Sequence, residues 1–240
     1  MNTKITIAYD GLDYSGSQKQ PSKTSVEDAL EAAFQRLNVQ AKIILSGRTD
    51  AGVHATGQVF NTVLPEHLHD LKKLQKLLNH QLPLSIRVKK AEHVNDDFHA
   101  RFSAKKRVYR YFITQEELTA FNARYITHVK TVDEAKIKEA ITCFIGEHDF
   151  EYFHKQGSDK TNFIKHIYQA KFYKHKNLYV FKFTANSYLR SQIRLMVGFL
   201  IQISLGKRTI KELQLQLKKE KRSFKTPING NGLYLAKVIY

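Results

Sequence analysis

Residues 46–60 read Ser46-Gly47-Arg48-Thr49-Asp50-Ala51-Gly52-Val53-His54-Ala55-Thr56-Gly57-Gln58-Val59-Phe60. This is a polar loop between two apolar segments, with Lys42–Leu45 reading as a short strand before it and Gly57–Leu64 as a longer one after it. Glycines at 47 and 52 permit a tight turn and the close approach of a ligand. A loop at a strand end, held by a scaffold, is a common place for a catalytic group. Asp50 is the candidate here. Arg48, two residues away, can hold a carboxylate's pKa down or contact a phosphate. Thr49 and the backbone amides can fix its geometry. Taken alone, the same residues also describe an Asx-turn aspartate beside a surface arginine.

Outward from this loop, strands and helices alternate. Lys4–Tyr9 alternates like a strand, and Asp10-Gly11 and Ser15-Gly16 mark a polar loop. Thr24 and Glu27 have the spacing of a capping box ahead of Val26, Leu30, Ala33, Phe34 and Leu37, an amphipathic helix. Leu68, Leu71, Leu74, Leu77 and Leu78 recur at helical spacing before Pro83, and Ile86–Val94 is strand-like. Beyond that, Lys106–Thr114 is a strong strand, and Thr131 and Glu134 cap a helix carrying Ile137, Ala140, Ile141 and Phe144. Strands Ile164–Tyr173 and Leu178–Thr184, helices Leu189–Leu205 and Ile210–Lys218, and a last strand Gly232–Tyr240 complete the chain. The pattern predicts an α+β protein of two similar halves whose sheets can join. The boundary falls near Phe102–Lys106, giving halves 1–103 and 104–240.

The chain has 240 residues, 42% of them hydrophobic, enough for one large or two small cores. The net charge is +17, which points to a polyanion partner, most simply nucleic acid. Cys143 is the single cysteine, which excludes an internal disulfide and any multi-cysteine zinc site and fits a reducing cytoplasm. Met1–Ile7 alternates like a strand and lacks the apolar core of a signal peptide. The longest apolar run, Leu195–Leu205, holds Gln202 and is too short for a bilayer span. A soluble, cytoplasmic protein with no membrane association is expected.

Two further sites of chemistry stand out. Arg194 lies among Ile193, Leu195, Met196 and Val197, where an arginine is costly without an anionic partner. Tyr109 and Tyr111 share one face of a strand, so periodicity cannot choose between them. Lys105, Lys106, Arg107 and Arg110 cluster beside Tyr109, with Lys106 and Arg110 on the opposite face. Arg101, Arg190 and the run Lys218, Lys219, Lys221 and Arg222 add positive charge. The eleven histidines are dispersed, so a metal-dependent phosphodiesterase built on Asp10, Asp13 and Asp50 is the weaker reading, and no metal is expected.

Ser46–Phe60 resembles the active-site signature of the TruA family of tRNA pseudouridine synthases, G-R-T-D-x-G-V-H-x-x-x-Q, with every fixed position present. The resemblance continues through Tyr9-Asp10-Gly11, Tyr14, Gly16 and Gln18–Gln20, then Asp97–Ala104, Tyr109-Arg110-Tyr111, and Gly146, Asp149, Phe150 and Phe153. Asn186–Gly198 and Gly232–Leu235 extend it to essentially the whole chain. It implies the pseudouridine synthase fold, with mainly antiparallel sheets joined across a central catalytic cleft. It implies that Asp50 is the nucleophile and that Arg194 is the second-half arginine pairing with it. Tyr109 rather than Tyr111 becomes the tyrosine that stacks on the target uracil, and Arg48 helps hold the flipped-out nucleotide. The chemistry is an isomerisation and calls for no cofactor. The implied substrate is the tRNA anticodon stem-loop at uridines 38, 39 and 40, and the implied assembly a homodimer. Two positions depart from the family: Ser17 stands where a tryptophan is usual, and Arg190-Ser191-Gln192-Ile193-Arg194 replaces the usual H-x-M-V-R. A catalytically idle RNA-binding protein of the same fold is the other reading.

Overall fold

The computed structural model describes residues 1–21, 24–155 and 162–240. Packing divides them into two compact units, residues 1–105 with 234–240 and residues 106–233.

In the first unit, β1 (Asn2–Tyr9) is followed by α1 (Val26–Gln35), β2 (Ile44–Leu45), β3 (His54–Val63), α2 (Leu71–Gln81) and β4 (Ile86–His93). β1 is central, antiparallel to β3 from Asn2↔Val63 and to β4 from Thr3↔His93. The alternation that predicts β1 is the burial pattern found, with Ile5 and Ile7 fully buried. Leu30, Phe34, Phe60, Leu74 and Leu78 complete this core. α1 is capped one residue later than its sequence suggests. Ser25, not Thr24, accepts from the Asp28 amide at 3.1 Å, and Asp28 answers the Ser25 amide. Thr24 is instead 2.7 Å from the Ser15 hydroxyl. The leucine periodicity begins too early for α2: Leu68 lies in a 3-10 turn, and Asp70 caps the helix by accepting from Lys72 and Lys73.

In the second unit, β5 (Lys106–Thr114) has the predicted bounds. β6 (Thr127–His128), α3 (Glu134–Ile141), β7 (Gly146–Asp149), β8 (Ile164–His175), β9 (Leu178–Ala185), α4 (Gln192–Ser204) and α5 (Ile210–Leu217) follow. β9 lies between β5 and β8, antiparallel to both, and β7 pairs with β8. β6 is a short parallel addition to β5. Asp133, not Thr131, caps α3. The core is aromatic: Phe144 meets Phe153 edge-on at 5.5 Å, and Phe153 lies 6.1 Å from Phe199 on α4. Almost every residue of α4 is buried, which is why it reads as apolar all round rather than amphipathic.

The closing strand β10 (Leu233–Ile239) groups with the first unit, although its order along the chain places it with the second half. It runs parallel to β3 through Tyr234↔His54 and Leu235↔Ala55. That pairing draws the start of β3 back from the expected Gly57 to His54, so the polar loop before it is shorter than its sequence suggests. Among the described residues no helix is long and apolar enough to cross a membrane.

Candidate active site

The loop between β2 and β3 is held at both ends by buried polar groups. The Ser46 amide donates to the Val59 carbonyl at 2.8 Å, and its hydroxyl to Gln58 Oε1 at 2.6 Å. Gln58, fully buried, returns its amide to the Gly47 carbonyl at 3.0 Å. At the middle, Ser17 and Thr49 clasp each other. The Thr49 amide donates to Ser17 Oγ at 2.8 Å, and the Ser17 amide to the Thr49 carbonyl at 3.1 Å. The Thr49 hydroxyl lies 2.8 Å from that of Tyr9, whose phenol burial pushes up to about 12, so it stays neutral. Thus the position that departs from the family pattern, Ser17, is a buried strut directly before Asp50.

The far end is a turn closed by Val53, whose amide donates to the Asp50 carbonyl. Gly52 has φ +73°, a left-handed conformation that favours glycine. Gly11 is required for closeness, because a Cβ there would sit 1.9 Å from the Val53 carbonyl oxygen. His54 Nδ1 lies 3.0 Å from the Gly11 amide and 3.1 Å from Asp10 Oδ1, and its ring stacks on Tyr234 at 4.7 Å. His54 therefore ties two loops together. Gly47 has neither positive φ nor a close neighbour, so the chain's own packing does not explain it.

Of the signature's polar residues, Arg48 and Asp50 are the two that this scaffold displays. Arg48 is exposed and Asp50 half-buried.

In the second unit the two strand tyrosines separate clearly. The Tyr111 hydroxyl is 2.7 Å from the Thr127 hydroxyl and donates to the Asn229 carbonyl at 2.7 Å. Tyr111 is fully buried, and burial raises its phenol well above the usual range. It is a structural group. Tyr109 instead meets Tyr188 edge-to-face at 5.2 Å. Tyr188 is a residue the sequence reading misses, since it lies in a polar connection, Asn186-Ser187-Tyr188-Leu189-Arg190-Ser191, with no periodic signal to single it out. Its hydroxyl is buried without a hydrogen-bond partner among the described residues, and burial, with Tyr109 nearby, raises it strongly.

The turn carrying Tyr188 is fixed by Asn186. Its Oδ1 accepts from the amides of Ser187 at 2.7 Å and His166 at 3.2 Å, while its carbonyl accepts from Arg107. α4 begins at Gln192 rather than at the expected Leu189, because Ser191 adopts φ 58° and breaks the helix there. Arg194, in the first turn of α4, donates from Nε to the Ile228 carbonyl at 2.7 Å, and that bond orients its guanidinium.

The basic residues divide in the same way. Lys219 is bound to Asp149 at 2.7 Å and Glu151 at 3.3 Å, Lys106 packs over the Tyr168 ring at 4.5 Å, and Arg107 holds Asn186. Arg110, Arg190, Lys218 and Lys221 remain exposed. Among the described residues, no three His, Cys, Asp or Glu side chains gather as a metal site.

An isomerase that modifies RNA is the class this chain falls into. The family model described as tRNA pseudouridine synthase matches residues 5–103 and 140–240, and the chain belongs to that family. Its relatives are of the TruA type. The tRNA pseudouridine synthase A of Campylobacter jejuni is 38% identical over 242 residues, covering 100% of both chains. That of Helicobacter pylori is 41% identical over 242 residues, 99% of this chain and 98% of the relative. That of Wolinella succinogenes is 37% identical over 234 residues, 98% and 92% respectively. The mixed α+β architecture with mainly antiparallel sheets agrees with the fold expected of this family.

Proposed function

We propose that this chain converts uridine to pseudouridine at positions 38, 39 and/or 40 of the tRNA anticodon stem-loop, with Asp50 as nucleophile. The observation that carries the reading is the division of labour in residues 46–58. Ser46, Thr49, Gly52, Val53, His54 and Gln58 are spent on holding the loop, and Asp50 is what the loop presents. A rigidly placed carboxylate suits attack on ribose C1′ or uracil C6. In the net change the C1′–N1 bond breaks and a C1′–C5 bond forms. The C5 proton leaves and N1 gains one, so atoms balance without a cofactor or a metal.

Tyr109 is proposed to stack on the target uracil, with its hydroxyl available to assist loss of the C5 proton. Arg194 is proposed as the cation that favours an ionised nucleophile. Arg48 is proposed to hold the flipped nucleotide, its exposed guanidinium suiting a phosphate or a vacated base stack. The protein is proposed to act in the cytoplasm as a homodimer, with halves 1–103 and 104–240 contributing the nucleophile and the base-holding groups. The exposed cations make tRNA binding salt-sensitive.

The test uses unmodified tRNA tritiated at uridine C5, incubated with the protein in EDTA. Tritium release that falls at least about 10⁴-fold in Asp50→Asn is the expected result. Release from the native protein that survives in Asp50→Asn removes Asp50 from the mechanism. Binding without release identifies a non-catalytic RNA-binding protein, and strand cleavage that appears only with added metal identifies a hydrolase.

A further inference from the structure

Phe102 is 76% exposed, yet the segment beneath it is among the most firmly tied in the first unit. Buried Asn2 donates to the carbonyls of Asn95 at 3.0 Å and Phe98 at 2.9 Å. Buried Asn61 donates to Asn2 Oδ1 at 3.0 Å and accepts from the Ala100 amide at 2.8 Å. The Tyr240 hydroxyl donates to the Ala100 carbonyl at 2.9 Å. His99 then folds the tip. Its Nδ1 accepts from the amides of Arg101 and Phe102, and its backbone is bonded both ways with Ser103.

The His99 ring lies 4.3 Å from that of Phe102, and the Arg101 guanidinium 5.5 Å from the Phe102 centroid. A lone exposed phenylalanine needs no explanation in general. Phe121, at 90% exposure, is an example: no ring or cation lies against it among the described residues. Phe102 differs in being rigid, partly stacked and flanked by a cation, on a chain of net charge +17. Rigid aromatics beside cations are how proteins hold unpaired bases, because every base has a π face and the cation serves the backbone.

We infer that Phe102, with Arg101 beside it, is a stacking platform for an unpaired nucleobase of the RNA, a contact separate from the reacting uridine. The inference rests on the tRNA-modifying reading above and adds a second point of contact to it. The apolar face meets the base, and Arg101 meets its phosphate or adds to the stack.

The chain contains no tryptophan, so Phe102→Trp places a single fluorophore at the platform. The experiment titrates this variant, in an Asp50→Asn background that prevents turnover, with an anticodon stem-loop RNA. A fully paired duplex of equal length and heparin serve as controls, and anisotropy of labelled RNA reports binding independently. Saturable quenching by the stem-loop, and not by heparin, is expected. Phe102→Ala should weaken stem-loop binding about tenfold while heparin binding stays unchanged. Stem-loop binding without quenching, together with unchanged affinity in Phe102→Ala, overturns the platform and leaves the enzymatic reading intact. Loss of RNA binding by every variant, native included, overturns both. A fluorescence shift that follows protein concentration without RNA overturns it in favour of a second copy covering Phe102.

Discussion

Residues 46–54 in the first unit and 186–194 in the second are both short connections that carry candidate active-site groups. They are stiffened by opposite means. In the first, buried polar atoms are paired: Ser17 with Thr49, Thr49 with Tyr9, and Ser46 with Gln58. In the second, Asn186 fixes the start, but Ser191 takes a left-handed φ and the Tyr188 hydroxyl is buried with no partner among the described residues. A satisfied polar network defines one conformation. An unsatisfied hydroxyl against an aromatic partner stores an energetic cost at the place where Tyr109 lies. The first loop is therefore built for rigidity, and the second leaves part of its stability unused around the ring expected to hold the base.

The largest effect distinguishes the two tyrosines of β5. Tyr109→Phe should lower kcat about 10²-fold or more if its hydroxyl takes part in proton transfer. Tyr111→Phe should act on stability instead. It strips the Asn229 carbonyl of a buried donor and should cost about 1–3 kcal/mol, with kcat of the folded protein retained. Tritium release and urea denaturation of the two variants decide the matter. If both variants lose activity and neither loses stability, the separation between a structural and a functional tyrosine is wrong.

That pair also shows where reading the sequence stops. Tyr109 and Tyr111 are both buried aromatics on one face of a strand, so periodicity makes them equivalent, and the hydroxyl partners of Tyr111 and the ring contact of Tyr109 with Tyr188 tell them apart. The polar loop is more legible because each of its residues has hydrogen-bonding capacity to account for. Even there, the strut Ser17 is found only once the fold brings it to Thr49, 32 residues away. Long strands and helices follow their hydrophobic period, as β5 does to the residue. Their ends do not, since Ser25 and Asp133 take caps that Thr24 and Thr131 could also have filled. The two-residue strand β6 exists only because β5 lies beside it, and no pattern of two residues announces that.

Ser17→Ala tests whether the first loop owes its rigidity to the pairing seen. The Thr49 amide would lose a buried acceptor, with no water able to replace it at a fully buried position. The expected cost is about 2 kcal/mol, which in a chain of this size lowers Tm by about 4–8 °C. A drop in kcat larger than any change in KM should accompany it, because Asp50 and its neighbour Arg48 are displaced while the cations outside the loop are untouched. Stability within about 0.5 kcal/mol of the parent would show that the clasp is not what holds the loop.

Tyr188→Phe is the complementary test and the smallest effect. Removing a buried tyrosine hydroxyl ordinarily costs about 1 kcal/mol because a hydrogen bond is lost. Here no bond is made, so the desolvation penalty disappears with the oxygen while the edge-to-face contact with Tyr109 is kept. Stability should be unchanged or rise by up to about 1 kcal/mol, read as the shift in urea midpoint at constant m. A loss of about 1 kcal/mol would mean that the hydroxyl finds a partner in solution, and the contrast between the two connections would fail. The opposite signs expected for Ser17→Ala and Tyr188→Phe are the decisive feature, because a general fragility of the protein would give both variants the same sign.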